Sequence, residues 1–124
     1  MNEVRIEFPD ENRSFRPGDR VRCTVHWDLE EIPRAIVASL VWHTRGIGTE
    51  DVGVADSIRE ESPPARDEHS FEFTAPEYPY TFSGKLISLD WEIEAHRENS
   101  RGKAKESIAE TIVIAPEGVE IELG

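Results

Sequence analysis

A chain of 124 residues is long enough for one folded domain with a real core and too short for two, so we expect a single domain over residues 1–124. Its 37% hydrophobic and 32% charged residues are typical of a soluble globular protein and exclude a disordered chain. The formal net charge of −12 makes nucleic acid and membrane surfaces poor candidate partners, because binding either normally needs clustered lysine and arginine.

The start of the chain and its single cysteine bear on the cellular setting. Residues Met1–Phe8 alternate charged and hydrophobic residues, whereas a signal peptide has a continuous apolar block. We therefore expect a cytoplasmic protein. Cys23 is the only cysteine, so no internal disulfide can form. It shares the parity of Val21 and Val25, which predicts a buried thiol and not a reactive nucleophile.

The first half of the chain alternates apolar and polar residues, which is the pattern of β-strands. A first segment, Val4–Phe8, ends at Pro9. A second segment follows the Pro17-Gly18 turn, and a third runs from Ile36 to Thr44. The apolar faces of these two segments are Val21, Cys23, Val25 and Trp27, and Ile36, Ala38, Leu40 and Trp42.

Val37 and Val41 lie on the opposite face of the third segment, so both of its faces are partly apolar. This pattern indicates a central strand, or a strand whose outer face is covered by a loop such as 51–64 or by a second copy of the chain. A symmetric dimer is the commonest way in which a small protein covers such a face. The two valines are therefore candidate interface residues of a homodimer.

Glycines and prolines divide the second half of the chain into further segments. Gly46 and Gly48 end the third segment, and the weakly patterned stretch Asp51–Glu61 allows a strand. The remaining predicted strands are a short one at Phe71 and Phe73, a long one over Ile87–Ala95, and one within Ala104–Ile114. The long strand has the clearest alternation, with one face almost wholly apolar and the other polar.

About seven short strands at regular spacing, with no convincing amphipathic helix, predict an all-β protein. The architecture expected is an immunoglobulin-like antiparallel β-sandwich. Trp27, Trp42 and Trp91 each end or centre an alternating apolar series, so we expect them to fill its core.

Residues 69–96 read HSFEFTAPEYPYTFSGKLISLDWEIEAH. They contain a Phe-x-Phe strand, two prolines, an aromatic residue with a glycine two residues on, and a long strand ending in an aromatic-x-hydrophobic-x-Ala run. The matching residues are Phe71, Phe73, Pro76, Pro79, Phe82, Gly84, Trp91, Ile93 and Ala95. This pattern resembles the arrestin fold, in the subgroup of arrestin-domain-containing proteins. The turn and strand that open such domains are similar to Phe15, Pro17, Gly18, Asp19 and Val21.

The resemblance implies a β-sandwich of arrestin N-terminal-domain type and a scaffold or adaptor role. Arrestin-like domains generally bind proteins through exposed loops and strand edges, and the matching pieces contain no catalytic signature. The chain departs from typical arrestins in size, because they carry two sandwiches and this chain has room for one. Any mechanism that depends on two domains moving is therefore in doubt.

The residues that could take part in catalysis or metal binding do not form a recognisable catalytic or metal site. No two of the four histidines are closer than 17 residues in sequence, so a compact zinc motif is absent. Facing strands could still bring His26 and His43 together, but surface histidines are the preferred interpretation. The carboxylates of Asp90, Glu92 and Glu94 share a strand face and could flank a sugar, although a solvated face is preferred. We expect no metal, no cofactor and no enzymatic activity.

A glycine-flanked tip follows the third segment and is the candidate binding site. Its residues Arg45, Ile47, Thr49 and Glu50 occupy a position where sandwich domains often carry recognition residues. The alternative is a plain hairpin turn.

The sequence therefore predicts a non-catalytic protein-binding module that uses end loops and strand edges. One alternative is a carbohydrate-binding or hydrolytic sandwich, which would need exposed aromatics in a groove. Tyr78 and Tyr80 are the only tyrosines available for such a groove. The other alternative is a structural subunit that self-associates through an edge strand.

Overall fold

The computed structural model describes residues 2–46, 48 and 50–123, and over these residues the regular structure is ten β-strands and one 3-10 turn at Pro9–Glu11. The strands are β1 (Glu3–Glu7), β2 (Ser14–Phe15), β3 (Arg20–Asp28), β4 (Ala35–Gly46), β5 (Glu50–Glu61), β6 (Arg66–Thr74), β7 (Phe82–Gly84), β8 (Ile87–Glu98), β9 (Ala104–Ile114) and β10 (Ile121–Leu123). The predicted all-β class is confirmed. Within the same ranges, no helix is long and apolar enough to cross a membrane.

The strands form two sheets. The smaller sheet has the order β1-β3-β6 and is antiparallel throughout. The larger has the order β10-β7-β8-β4-β5. In the larger sheet, one side of β8 pairs with β4, and its other side pairs first with β7 and then with β9. Strand β2 joins this assembly through β9.

The strand count and pairing differ from the expectation of about seven antiparallel strands. The additional strands β2, β7 and β10 have only two or three residues each. Two of their pairings, β2 with β9 and β10 with β7, are parallel. Segments this short contain too few residues to show an alternating pattern, which is why the sequence did not reveal them.

The core lies between the two sheets and follows the predicted apolar faces. The smaller sheet contributes Val21, Val25, Phe71 and Phe73, and the larger contributes Ile36, Leu40, Trp91, Ile93 and Ile112. Cys23 is also in this core, with 1% of its surface exposed, and burial raises the pKa of its thiol to about 11. The prediction of a buried cysteine is confirmed.

Two of the three tryptophans fix loops to the core. The indole nitrogen of Trp27 donates a hydrogen bond to the carbonyl oxygen of Pro64, and that of Trp91 donates to the carbonyl oxygen of Pro79, both at 2.9 Å. Each bond satisfies a polar atom that burial would otherwise leave without a partner. Trp42 is partly buried and packs against the edge of the core.

Val37 and Val41 lie on the outward face of β4, which is the central strand between β5 and β8. Only 6% of each residue is exposed within the single chain. The cross-strand neighbours of Val37 are Arg59 and His96, and those of Val41 include Glu92. The segment is therefore a central strand, which is one of the predicted alternatives. Most of the stretch 51–64, which was the predicted covering loop, is strand β5 and pairs with the side of β4.

Candidate functional site

Strand β5 is an edge of the larger sheet. It has 12 residues and, among the described residues, pairs with β4 alone. The register shifts after Leu40, which faces Asp56, while Val41 faces Val54, so Ala55 is an extra residue that forms a bulge. We refer to the side of β5 away from β4 as the β5 edge.

Within the described ranges, the backbone groups on the β5 edge have no neighbouring strand. In an antiparallel pair, alternate residues direct their N–H and C=O groups away from the partner strand. The N–H of Ser57 shows this locally, because it donates to the carboxylate of Asp56 at 2.8 Å. An exposed edge of this kind is the feature to which extended peptides add as a further strand.

The side chains of β5 are strongly acidic. The strand carries Glu50, Asp51, Asp56, Glu60 and Glu61 against a single arginine. That arginine, Arg59, donates hydrogen bonds to Glu98 at 2.6 Å and to Glu61 at 2.8 Å. These bonds raise the pKa of Arg59 well above its usual range, so its charge is already engaged within the chain.

The neighbouring edge of the smaller sheet adds to this negative charge. Strands β5 and β6 lie at the same side of the sandwich, where the carboxylate of Glu60 is 3.4 Å from Nε2 of His69. Strand β6 carries Asp67, Glu68 and Glu72 and one arginine, Arg66. Together the two strands have eight acidic residues and two arginines, so this side of the protein attracts cations and repels anions.

Two apolar residues lie on the outward face of β5. Val52 is 69% exposed and Val54 is 62% exposed. Their register partners on β4 are His43 and Val41. The two valines therefore lie on the same outward face of the sheet as Val41, one strand closer to the edge. The β5 edge therefore combines backbone groups that pair with no further strand among the described residues, exposed valines and acidic side chains.

The predicted tip residues lie at the start of this edge. Arg45 and Glu50 are register partners at the end of the β4–β5 pair, and both are exposed. With Val52 they line a shallow pocket. Ile47 and Thr49, the other two predicted tip residues, lie outside the described residues. The weak alternation of residues 51–61 gave no sign that the strand beginning at Glu50 is an edge of the sheet.

Histidines on the two outer faces are each flanked by carboxylates. Nδ1 of His43 is 2.7 Å from Glu92, and its Nε2 is 3.6 Å from Asp90. Nε2 of His26 is 2.9 Å from Glu7. Glu92 and Asp90, which the sequence analysis weighed as a sugar-flanking pair, are thus held beside an imidazole.

His26 and His43 lie on opposite outer faces of the sandwich, one on β3 and the other on β4. The alternative in which facing strands bring them together is therefore wrong, because the whole core lies between them. Across the part of the chain that the structure describes, no group of three or more His, Cys, Asp or Glu residues has a geometry that could hold a metal ion.

Exposed aromatic residues are scarce among the described residues. Tyr78 is 79% exposed, and Tyr80 is half-buried. The other large aromatics, including Trp27 and Trp91, are in the core or packed against it. A sugar-binding groove lined by aromatic rings has no counterpart in this part of the structure.

A cluster of exposed apolar residues lies beyond the end of the core, around the β7–β8 turn and β10. Ile87 has the parity of the buried residues Leu89 and Trp91, yet it is 46% exposed, so the smaller sheet does not extend over it. Leu86 in the turn is 68% exposed, and Leu123 is 50% exposed. The sequence offered one signal for this cluster, the pair Leu86-Ile87 directly after a glycine turn.

The comparisons with known proteins show the fold and no family. No family model and no curated protein matches the chain. Among solved structures, it is similar to Spo0M, a sporulation control protein from Bacillus subtilis, with a TM-score of 0.68 and 20% identity over 92% of this chain and 49% of that one. The chain therefore spans about half the length of Spo0M.

It is also similar to a part of a beta-glucosidase from Listeria innocua that was solved in complex with gluconolactone. That likeness has a TM-score of 0.50 and 8% identity, and it covers 97% of this chain and 16% of the glucosidase. At such identities both likenesses concern the fold alone.

Proposed function

We propose that this protein is a non-catalytic protein-binding module, an adaptor or scaffold of arrestin-like type, which binds a partner at the β5 edge. The observation that carries the proposal is the open 12-residue edge strand with Val52 and Val54 exposed beside it. Natural edges are usually short, covered, bulged or charged, because an open edge pairs readily with other chains. Strand β5 has a bulge at Ala55 and five acidic residues, so only a strand of complementary charge would add to it. A long open edge beside exposed valines is suited to binding a peptide segment.

Two further observations support a regulatory role over an enzymatic one. Spo0M, whose fold is similar, is described as a sporulation control protein. The carboxylates that a hydrolase would need, Asp90 and Glu92, stand beside His43 on an outer sheet face and not in a deep cleft. The glucosidase likeness covers 16% of that enzyme and gives no reason to assign its activity to this chain.

The cytoplasm is the proposed compartment. The protein partner itself is to be identified by experiment.

Site-specific photo-crosslinking tests the proposal. A benzophenone amino acid replaces Val54 on the β5 edge, and in a control it replaces Ile32, which is 73% exposed in the loop between β3 and β4. In the native cytoplasm, we expect discrete crosslinked products at position 54 and none at position 32. Equal crosslinking at both positions, or none at position 54, would contradict a binding site at the β5 edge.

A further inference from the structure

We infer that the occupant of the β5 edge is an extended segment of a basic partner protein. It adds to the seven-stranded larger sheet as an eighth strand, with lysine or arginine on one face and apolar residues on the other. The inference rests on the proposed function and specifies the partner's chemistry.

The two faces of β5 differ in a way that specifies this pattern. Asp51, Asp56 and Glu60 are paired with the inward-facing residues of β4, so they lie on the face of β5 turned toward the smaller sheet. Val52 and Val54 lie on the opposite, outward face, where Glu61 at the end of the strand is bound by Arg59. Glu50 also lies on the outward face, opposite Arg45, and Ile58 on the inward face packs against the core. Because cross-strand neighbours on the same face interact directly, an added strand would place cations beside the three acids and apolar residues beside the two valines.

A second copy of the chain fits this edge poorly. When two β5 strands are aligned antiparallel over their full length, Glu50 of each copy faces Glu61 of the other, and Asp51 faces Glu60. Each contact occurs twice, which places like charges directly opposite each other at both ends of the pair. Like charges in such positions destabilise strand pairing, whereas opposite charges stabilise it.

The arginine of β5 does not neutralise the three acids of the inward face, because its hydrogen bonds go to other carboxylates. The single arginine of the strand is bound to Glu98 and Glu61. Strand β6 contributes Asp67 and Glu68 at the same side of the sandwich, while its Glu72 is already bound by Arg20 and Arg22. A basic segment would therefore be attracted by this side as a whole before its backbone pairs with the edge.

Peptide binding to the full chain tests the inference. The probe is a fluorescent ten-residue peptide in which lysine alternates with valine or threonine, measured by fluorescence polarisation. Three matched peptides serve as controls: one with glutamate in place of lysine, one with the same residues in blocks instead of alternation, and one N-methylated at every second residue. We expect the alternating lysine peptide to bind at least about tenfold more tightly than each control, because each lacks either the charge, the two faces or the backbone donors.

Hydrogen exchange and a charge-reversed variant locate the contact. We expect the lysine peptide to protect amides of β5 and not those of β6. The triple variant Asp51→Lys, Asp56→Lys, Glu60→Lys should weaken binding by about tenfold or more. The control variant Glu11→Lys, Glu117→Lys, Glu120→Lys has the same net charge but changes exposed residues elsewhere, and it should bind nearly as the unmodified chain does.

Several results would overturn the inference. Equal binding of the N-methylated peptide would mean that charge alone holds the peptide, without strand addition. Equal binding of the glutamate or block peptide, or equal weakening by both triple variants, would contradict the assigned pattern or its location. If the crosslink at position 54 persists while the lysine peptide fails to bind, the inference falls and the proposed function stands. The absence of that crosslink contradicts the proposed function itself.

Discussion

The indole ring of Trp42 lies directly on the backbone of Gly53, its register partner across the β4–β5 pair. A Cβ atom at position 53 would be 2.3 Å from Cε2 of Trp42, which is well inside van der Waals contact. Glycine usually weakens a strand, so its presence in β5 has a specific cause: only a residue without a side chain leaves room for the ring. The edge strand is thereby held against the partly buried tryptophan.

We expect Gly53→Ala to lower the free energy of unfolding by about 1–3 kcal/mol, because the added methyl group forces the ring or the strand to move. Urea unfolding followed by circular dichroism measures the change. Val54→Ala, on the exposed face of the same strand, serves as the control and should change stability much less. Combining Gly53→Ala with Trp42→Leu should cost less than the sum of the two single changes. Strict additivity would show that the ring and the glycine are not in contact.

Trp91→Ala should remove the largest fully buried side chain of the core. The residue is 1% exposed, and we expect a loss of about 3–5 kcal/mol, enough to unfold a marginally stable domain. Trp91→Phe keeps most of the volume and removes the hydrogen bond to Pro79, so it should cost less, although the carbonyl oxygen loses its donor. Thermal melting of both variants makes the comparison. An unchanged melting temperature for Trp91→Ala would contradict its place in the core.

The thiol of Cys23 should be inert in the folded protein at neutral pH and should react with a thiol reagent only on unfolding. Burial raises its pKa to about 11, so the folded state keeps the proton at pH values where an unfolded cysteine, with a pKa of about 8.5, has lost it. The unfolded state therefore binds fewer protons between about pH 9 and 11, and the free energy of unfolding falls as the pH rises through this range, by up to about 1.4 kcal/mol per unit.

The control for this prediction is Cys23→Ala. It lacks the ionisable group, so its stability should fall less steeply than that of the unmodified chain over the same pH range. Rapid labelling of Cys23 in the folded protein at pH 8 would show that the thiol is accessible and would contradict the burial on which the argument depends.

The parts of the fold that the sequence predicted are those with long alternating patterns. Strand β8 was predicted over Ile87–Ala95 and extends to Glu98, and β3 covers the predicted apolar series from Val21 to Trp27. A strand with one buried face must alternate apolar and polar residues, so its position can be predicted from the sequence. Strands β2, β7 and β10 could not be predicted, because two or three residues have no periodicity and their pairing depends on distant parts of the chain.

The candidate site was predicted only in part, for a related reason. Of the predicted tip residues, Arg45 lies in β4 and Glu50 in β5, where they are register partners, and their role in binding stays a prediction. The edge that follows was weakly patterned because an edge strand at the rim of the sandwich buries little: Ile58 packs against the core, whereas Val52 and Val54 are exposed. Which strand becomes an edge depends on the order of strands in the sheet, and no local sequence pattern predicts that order.

Removal of divalent metal should leave the fold unchanged. His26 and His43 lie on opposite outer faces of the sandwich, and in the described part of the chain no group of three or more His, Cys, Asp or Glu residues could hold a metal ion. We expect identical near-ultraviolet circular dichroism and melting before and after treatment with a chelator. Loss of the aromatic signal on chelation, with recovery on adding zinc, would show that the protein depends on a metal.

Val37 and Val41 predict a homodimer interface, but the same residues could be buried within a single chain. The variant Val41→Glu distinguishes these two roles of the outward face of β4. Val41 is 6% exposed and lies beside Glu92, so a glutamate there would lose apolar burial and place two carboxylates side by side. If the burial seen in the single chain is sufficient, the variant should lose about 1–3 kcal/mol of stability, and sedimentation should show the same monomer before and after the change.

Val52→Glu is the matched control: the same substitution on the exposed β5 residue should be nearly neutral for stability. A sedimenting dimer of the unmodified chain that Val41→Glu converts to a stable monomer would instead establish the self-associating subunit, because only an interface explains a loss of assembly without a loss of folding.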